Sequence, residues 1–211
     1  MTISFQEPRP QRPCDLLVHP NGVEAPALTP DYQLRSSAMK KARVIITFDC
    51  RRGCPYCCNN SPSMQALMQP IDSIGALLPY DMVMLTGGEP MLDPGRTLSI
   101  AQEVRDQKPQ RPLYLYTARW SARLSDALDL FDGVHYTLHA SATREDIRGF
   151  LCFQDMIMNA RDPGSCRLYI NPCVTHDVTV RPSLWTRIES KPWVLEKDLT
   201  LPEGEDLLVL T

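Results

Sequence analysis

Val44-Ile45-Ile46-Thr47-Phe48, followed after Asp49 by Cys50-Arg51-Arg52-Gly53-Cys54-Pro55-Tyr56-Cys57, decides how this chain of 211 residues is read. The first five residues form an apolar, β-branched run of strand type. The next eight place three cysteines at spacings of four and three residues. A loop with thiols so spaced, leaving a strand, can curl around one inorganic centre and point several sulfurs at it. Two centres compete. Structural zinc takes four protein ligands, commonly as two separated pairs. Here the sequence offers one triplet, and Cys58 is a poor fourth ligand because it shares a peptide with Cys57. Three thiolates on a cube of four irons leave one iron open, and an open iron can bind something that reacts. That asymmetry points to a catalytic cluster.

A second motif stands in the same relation to a second strand. Thr86-Gly87-Gly88-Glu89-Pro90 follows the apolar run Met82-Val83-Met84-Leu85. The two motifs come in order, about 30 residues apart, as one strand–helix unit requires. With Tyr56 just before its last cysteine, the C-x3-C-x2-C triplet resembles the signature of the radical S-adenosylmethionine (radical SAM) superfamily. The resemblance implies that Cys50, Cys54 and Cys57 ligate a [4Fe–4S] cluster whose fourth iron is chelated by the methionine end of SAM. It also implies reductive cleavage of SAM to a 5′-deoxyadenosyl radical, fed by a flavodoxin- or ferredoxin-like one-electron donor, and hydrogen abstraction from a substrate.

Bulk properties frame this reading. The length allows one domain with a real core. Net charge is −3, which gives no electrostatic footprint for nucleic acid. Eight cysteines could mean a disulfide scaffold. The opening MTISFQEPRPQRP has no apolar signal core, and no stretch approaches the roughly 18 apolar residues of a membrane span. Clustered thiols are therefore expected to be metal ligands in a cytoplasmic protein without a membrane partner.

Residues 1–42, with Pro8, Pro10, Pro13, Pro20, Pro26 and Pro30, show neither helical nor strand periodicity and read as an extended arm carrying Cys14. From residue 43 to 211 strands alternate with amphipathic helices, which argues for an α/β domain with a parallel sheet. The spacing predicts strands at Arg43–Phe48, Met82–Thr86, Leu113–Thr117, Val134–Leu138 and Arg167–Asn171, the last ended or bulged by Pro172. Helices are expected over Pro70–Leu78, from an Asp93 N-cap with Pro94 to about Lys108, around Leu124, Ala127, Leu128 and Phe131, after Thr143 with Asp146 three residues on, and over Ser183–Glu189. Short strands are expected near Trp193–Leu195 and Leu207–Leu210. So few βα units do not close an eight-stranded barrel, which takes about 250 residues. The resemblance implies a partial (β/α)6 TIM-like barrel in a short version, open at the side.

The resemblance also distributes roles. Glu89, with the Gly87 and Gly88 backbone and Pro90 completing the turn, would grip the SAM ammonium, since glycines permit close approach and a carboxylate gives a charge-assisted bond. Tyr56 would lie against the adenine or else pack beside the cluster. Strand C-terminal ends carry barrel active sites, which places Thr117, Arg119, His139, Ser141 and Asn171 at the site. Ser141 or His139 would meet the ribose, although a lone histidine is more often structural. Arg119 would meet an anionic group or stay solvated, and His176 and Asp177 are weaker candidates. Cys152, Cys166 and Cys173 read as buried packing residues, so no second cluster is expected.

Cys-Pro-Tyr-Cys-Cys-Asn-Asn looks most like the cluster loop of glycyl-radical-enzyme activating proteins, which would make the substrate a protein. The TGGEP turn is shared with compact small-molecule enzymes similar to the 7-carboxy-7-deazaguanine synthases, whose magnesium-binding signature is not evident after Cys57. A zinc-binding module without catalysis is the third possibility.

Overall fold

In the computed structural model, residues 39–190, 192 and 200–211 are described. Eight strands form one wholly parallel sheet: β1 (Lys41–Thr47), β2 (Met68–Ile71), β3 (Met82–Gly87), β4 (Leu113–Thr117), β5 (Gly133–Leu138), β6 (Arg167–Ile170), β7 (Arg187–Ser190) and β8 (Glu205–Leu210). Their order is β2-β8-β1-β3-β4-β5-β6-β7. The chain is thus α/β with a parallel sheet, as the alternation of elements implies. Among the described residues the α-helices are α1 (Pro62–Gln65), α2 (Pro94–Gln107), α3 (Ala122–Ser125) and α4 (Arg144–Asn159). No helix among the described residues is long and apolar enough to cross a membrane.

The core lies on one face of the sheet. Val83, Leu85, Leu113, Leu115, Val134 and Leu168 are buried there. Against them α2 sets Ile100, Ala101 and Val104, and α4 sets Ile147, Phe150, Phe153 and Ile157. Both helices begin as their residue types demand. Asp93 caps α2 by accepting from the Arg96 amide, with Pro94 in the first turn. Thr143 and Asp146 form a complete capping box at α4, the aspartate replacing the usual longer acid.

Several expectations are corrected. Pro70 lies in β2, an edge strand where its missing N–H costs no ladder bond to a second neighbour. Behind it only a 3-10 turn, Ile74–Leu77, replaces the expected helix, because burying Ile74 and Leu77 needs one turn and no more. The helix expected through Leu124 and Phe131 is split into α3 and a 3-10 turn at Leu128–Leu130, where Ala127 leaves helical geometry at ψ 22°. Leu124, Leu128 and Phe131 are buried all the same. Over Ser183–Glu189 a 3-10 turn at Pro182–Leu184 gives way to β7, paired in parallel with β6. Strand β6 ends at Ile170, just before Asn171 and Pro172. Cys166 is buried, but Cys152 and Cys173 are exposed rather than packed inside.

The short strand expected near Leu207–Leu210 is present as β8, whereas β2 and β7 were not expected; with β8 and β2 beyond β1, the sheet has eight strands where a six-unit barrel was expected. The proline-rich arm falls on residues outside the described ones, apart from 39–42, of which Lys41 and Ala42 belong to β1. The strand expected near Trp193–Leu195 also lies outside the described residues.

Candidate functional site

The other face of the sheet carries a small apolar cluster of Ile45, Met64 and Leu207, and its more polar side chains line a cavity of about 1150 Å³. One end of it lies where β1 and β3 end. There the backbone of Gly87 and Gly88 lies directly on the backbone leading to the thiols: the Gly88 amide donates to the Thr47 carbonyl at 2.7 Å, and the Glu89 amide to the Asp49 carbonyl at 2.8 Å. A Cβ on Gly88 would stand 2.2 Å from the Asp49 oxygen, and Gly87 has φ +142° with a Cβ position 2.2 Å from the Thr47 oxygen. The paired glycines exist because only they fit that contact.

Cys50, Cys54 and Cys57 line the cavity together with Tyr56, Gly88 and Thr117. The Cys57 amide donates to the Cys54 carbonyl at 3.1 Å, closing a tight turn between two of the thiols. Burial pushes the Cys54 thiol up, and charges at Cys50 and Cys57 push it further, while the Ser141 hydroxyl hydrogen-bonds it and pulls it down. Cys50 and Cys57 thus lie near enough to Cys54 to oppose its ionisation, and a cation there would lift that opposition. All three are free thiols. Among the described residues no three His, Cys, Asp or Glu side chains meet around a single ion-sized point.

Glu89 occupies a different position from that of a free clamp. Its carboxylate is buried, at 4% exposure. It accepts from the Thr117 hydroxyl at 2.5 Å, the Ala118 amide at 2.8 Å and the Met91 amide at 3.0 Å. Burial raises its carboxyl above the ordinary range, against the pull of these donors and of Arg52. Glu89 therefore ties the bend after β3 to the end of β4, and what lines the cavity beside it is glycine backbone. Pro90 is buried behind the bend, its carbonyl taken by the Thr97 hydroxyl at 2.6 Å.

The remaining candidates separate. Tyr56 receives the Ala140 amide on its hydroxyl at 3.1 Å, and its ring stacks 6.3 Å from that of His139. Burial, with Arg52 nearby, lowers the His139 imidazole to about 4, so it is neutral at pH 7. Ser141 is exposed, with its hydroxyl on Cys54. Asn171 is buried and accepts from the Cys173 amide in a local turn. Ser141, Asn171, Arg119, His176 and Asp177 do not line the cavity. Cys58 lines it half-buried, its thiol raised by burial.

Sequence reasoning missed Arg52. From inside the thiol loop its guanidinium reaches Asp146 at 2.5 Å and the Ala118 carbonyl at 3.1 Å, anchoring the loop to α4 and to the end of β4. It missed equally a row of side chains in register across β4 to β7: Tyr116, His135, Arg167 and Arg187. The signal was available, because these residues alternate with the buried Leu115, Val134, Tyr136 and Leu168.

No protein-family model matches the chain, no curated protein matches it, and no solved structure matches it.

Proposed function

We propose that the chain is a radical SAM enzyme. The observation that carries this reading is the contact of the two motifs: the glycine bend rests on the strand exit that bears the thiols, at one end of the cavity. A separated thiol loop and glycine turn would have no reason to need backbone-to-backbone contact. The donor set fits the group, with three cysteines leaving a fourth metal corner for SAM, and the glycines provide a cradle that a Cβ would fill. On this reading the sheet is a partial (β/α)6 barrel to which β2 and β8 add strands.

Cys50, Cys54 and Cys57 would hold the [4Fe–4S] cluster, and the bend at Gly87 and Gly88 would receive the methionine end of SAM. When bound, these groups supply one-electron reductive cleavage of SAM, and the organic chemistry is theirs. The chain's own residues position them. Arg52 fixes the thiol loop against Asp146, Glu89 fixes the bend against Thr117, and Tyr56 with neutral His139 gives an aromatic wall for a planar base.

Of the two substrate readings, protein and small molecule, the cavity favours the second. Ligand pockets span about 300–1000 Å³, so this one accommodates a cofactor and a small substrate together. Anaerobic reconstitution with iron and sulfide, followed by SAM and dithionite, tests the proposal. About four irons per chain and release of 5′-deoxyadenosine are expected. Zinc bound in place of iron, or iron loading that survives Cys54→Ala and Cys57→Ala together, would sink it.

A further inference from the structure

We propose that the end of the cavity remote from the thiols is an oxyanion subsite, where the exposed Arg167 and Arg187, flanked by His135 and Tyr116, receive the phosphate or carboxylate group of a small substrate. That the ligand is a substrate rests on the radical reading above; the anion binding needs no iron.

The placement of charge carries the inference. The protein is acidic overall, at −3. Yet the charged side chains lining the cavity are four arginines and two glutamates. Most of these charges are already answered. Glu89 is saturated by three donors, Arg52 is paired with Asp146, and the Arg43 guanidinium lies 2.9 Å from Glu205. Arg187 has Glu189 at 2.7 Å. Among the described residues Arg167 has no ion pair and no hydrogen bond.

Arg167 and Arg187 stand directly opposite one another on neighbouring parallel strands. Arg187 is offset by Glu189, so the uncompensated cation is Arg167, and an oxyanion between the strands gains Arg167 as a partner and shares Arg187 with Glu189. Guanidinium forks match oxyanions in a bidentate manner. His135, opposite Arg167 on the other side, is pushed down to about 4 by burial and by Arg167 and Arg43. It is therefore a neutral imidazole able to donate one N–H to an oxyanion. Tyr116, 4.2 Å from the His135 ring and 4.8 Å under the Arg43 guanidinium, closes the row.

Distance from the strand ends fits a substrate rather than the cofactor; Arg167 and Arg187, the first residues of β6 and β7, are exposed, so the row is open to solvent. His135 stands three residues before Leu138, the end of β5, which places the row about 10 Å beneath the strand ends. The thiols lie beyond the end of β1. A molecule anchored at the row extends its other end toward them.

The test uses the full chain without iron, so its failure is distinct from failure of the cluster reading. Inorganic phosphate and acetate are titrated separately by calorimetry at constant ionic strength. Saturable binding of at least one is expected, and the tighter arm identifies the anion. Arg167→Ala should weaken it about tenfold or more, with partial recovery in Arg167→Lys. Arg187→Gln, checked for fold by circular dichroism, provides a second reading. Isotherms that are the same for the parent and the arginine variants, or heats no different from those of chloride, overturn the subsite.

Discussion

The two faces of this sheet differ as sharply as two proteins. The helix-side face is a continuous apolar layer built from Leu85, Leu115, Val134, Leu138 and Leu168, closed by α2 and α4. The cavity face presents Arg43, Tyr116, His135, Thr137, Arg167 and Tyr169. Parallel sheets are normally covered on both faces and read as unbroken hydrophobic runs. Here β4, Leu-Tyr-Leu-Tyr-Thr, and β5, Gly-Val-His-Tyr-Thr-Leu, alternate in burial. The lesson is that most of the apolar core sits on one face, while the other keeps a small cluster of Ile45, Met64 and Leu207 and gives the rest of its area to polar side chains.

The comparison breaks first where the apolar face is cut. Leu85 is fully buried, and Leu85→Ala should cost about 2–5 kcal/mol by chemical denaturation. A loss under about 1 kcal/mol would mean that the layer does not hold the fold as described.

A smaller effect is expected at the seam between the faces. Burial alone would raise the Asp146 carboxyl, but hydrogen bonds from Arg52 and Thr143 outweigh it and hold the group below its ordinary 3.8. A depressed carboxyl contributes stability that is present above its unfolded value and lost as pH falls through the folded one. Asp146→Asn should therefore cost about 1–3 kcal/mol near pH 7, and the gap from the parent should close in acid below that range. Urea midpoints at pH 7 and pH 3 check this, and a gap that widens toward pH 3 would contradict the pairing.

The smallest effect belongs to the cavity face. Arg167→Ala removes one of two opposed cations and should leave stability unchanged, or raise it by up to about 0.5 kcal/mol. Thermal melting reads it, and a drop of several degrees would show that this face, too, supports the fold.

The apolar face was legible in the sequence and the cavity face largely was not. The apolar run Met82–Leu85 and the alternation in Leu113–Thr117 give strands directly, and Asp93 and Thr143 mark helix starts through capping chemistry. Short segments misled, because burying Ile74 with Leu77, or Leu124 with Leu128, satisfies a single turn as well as a full helix. The places of β2 and β8 beside β1 depend on pairing across the whole chain, as in Met68 with Leu207, which no local pattern encodes. At the site, the thiols and the glycine bend were readable from spacing. Glu89 was readable as important but not as buried, since its three donors come from backbone and from a different strand. Arg167 and Arg187 look like ordinary solvated charges until the register sets them side by side.

The seating of Gly87 and Gly88 on Thr47 and Asp49 has a mechanical result. Two peptide bonds' worth of hydrogen bonding weld the exits of β1 and β3 into one piece, so the sulfur loop cannot loosen at its root while the bend keeps its shape. Whatever orders one stiffens the other, and the separation between the loop and the bend at this seam is set by main-chain bonds, indifferent to the side chains on either arm.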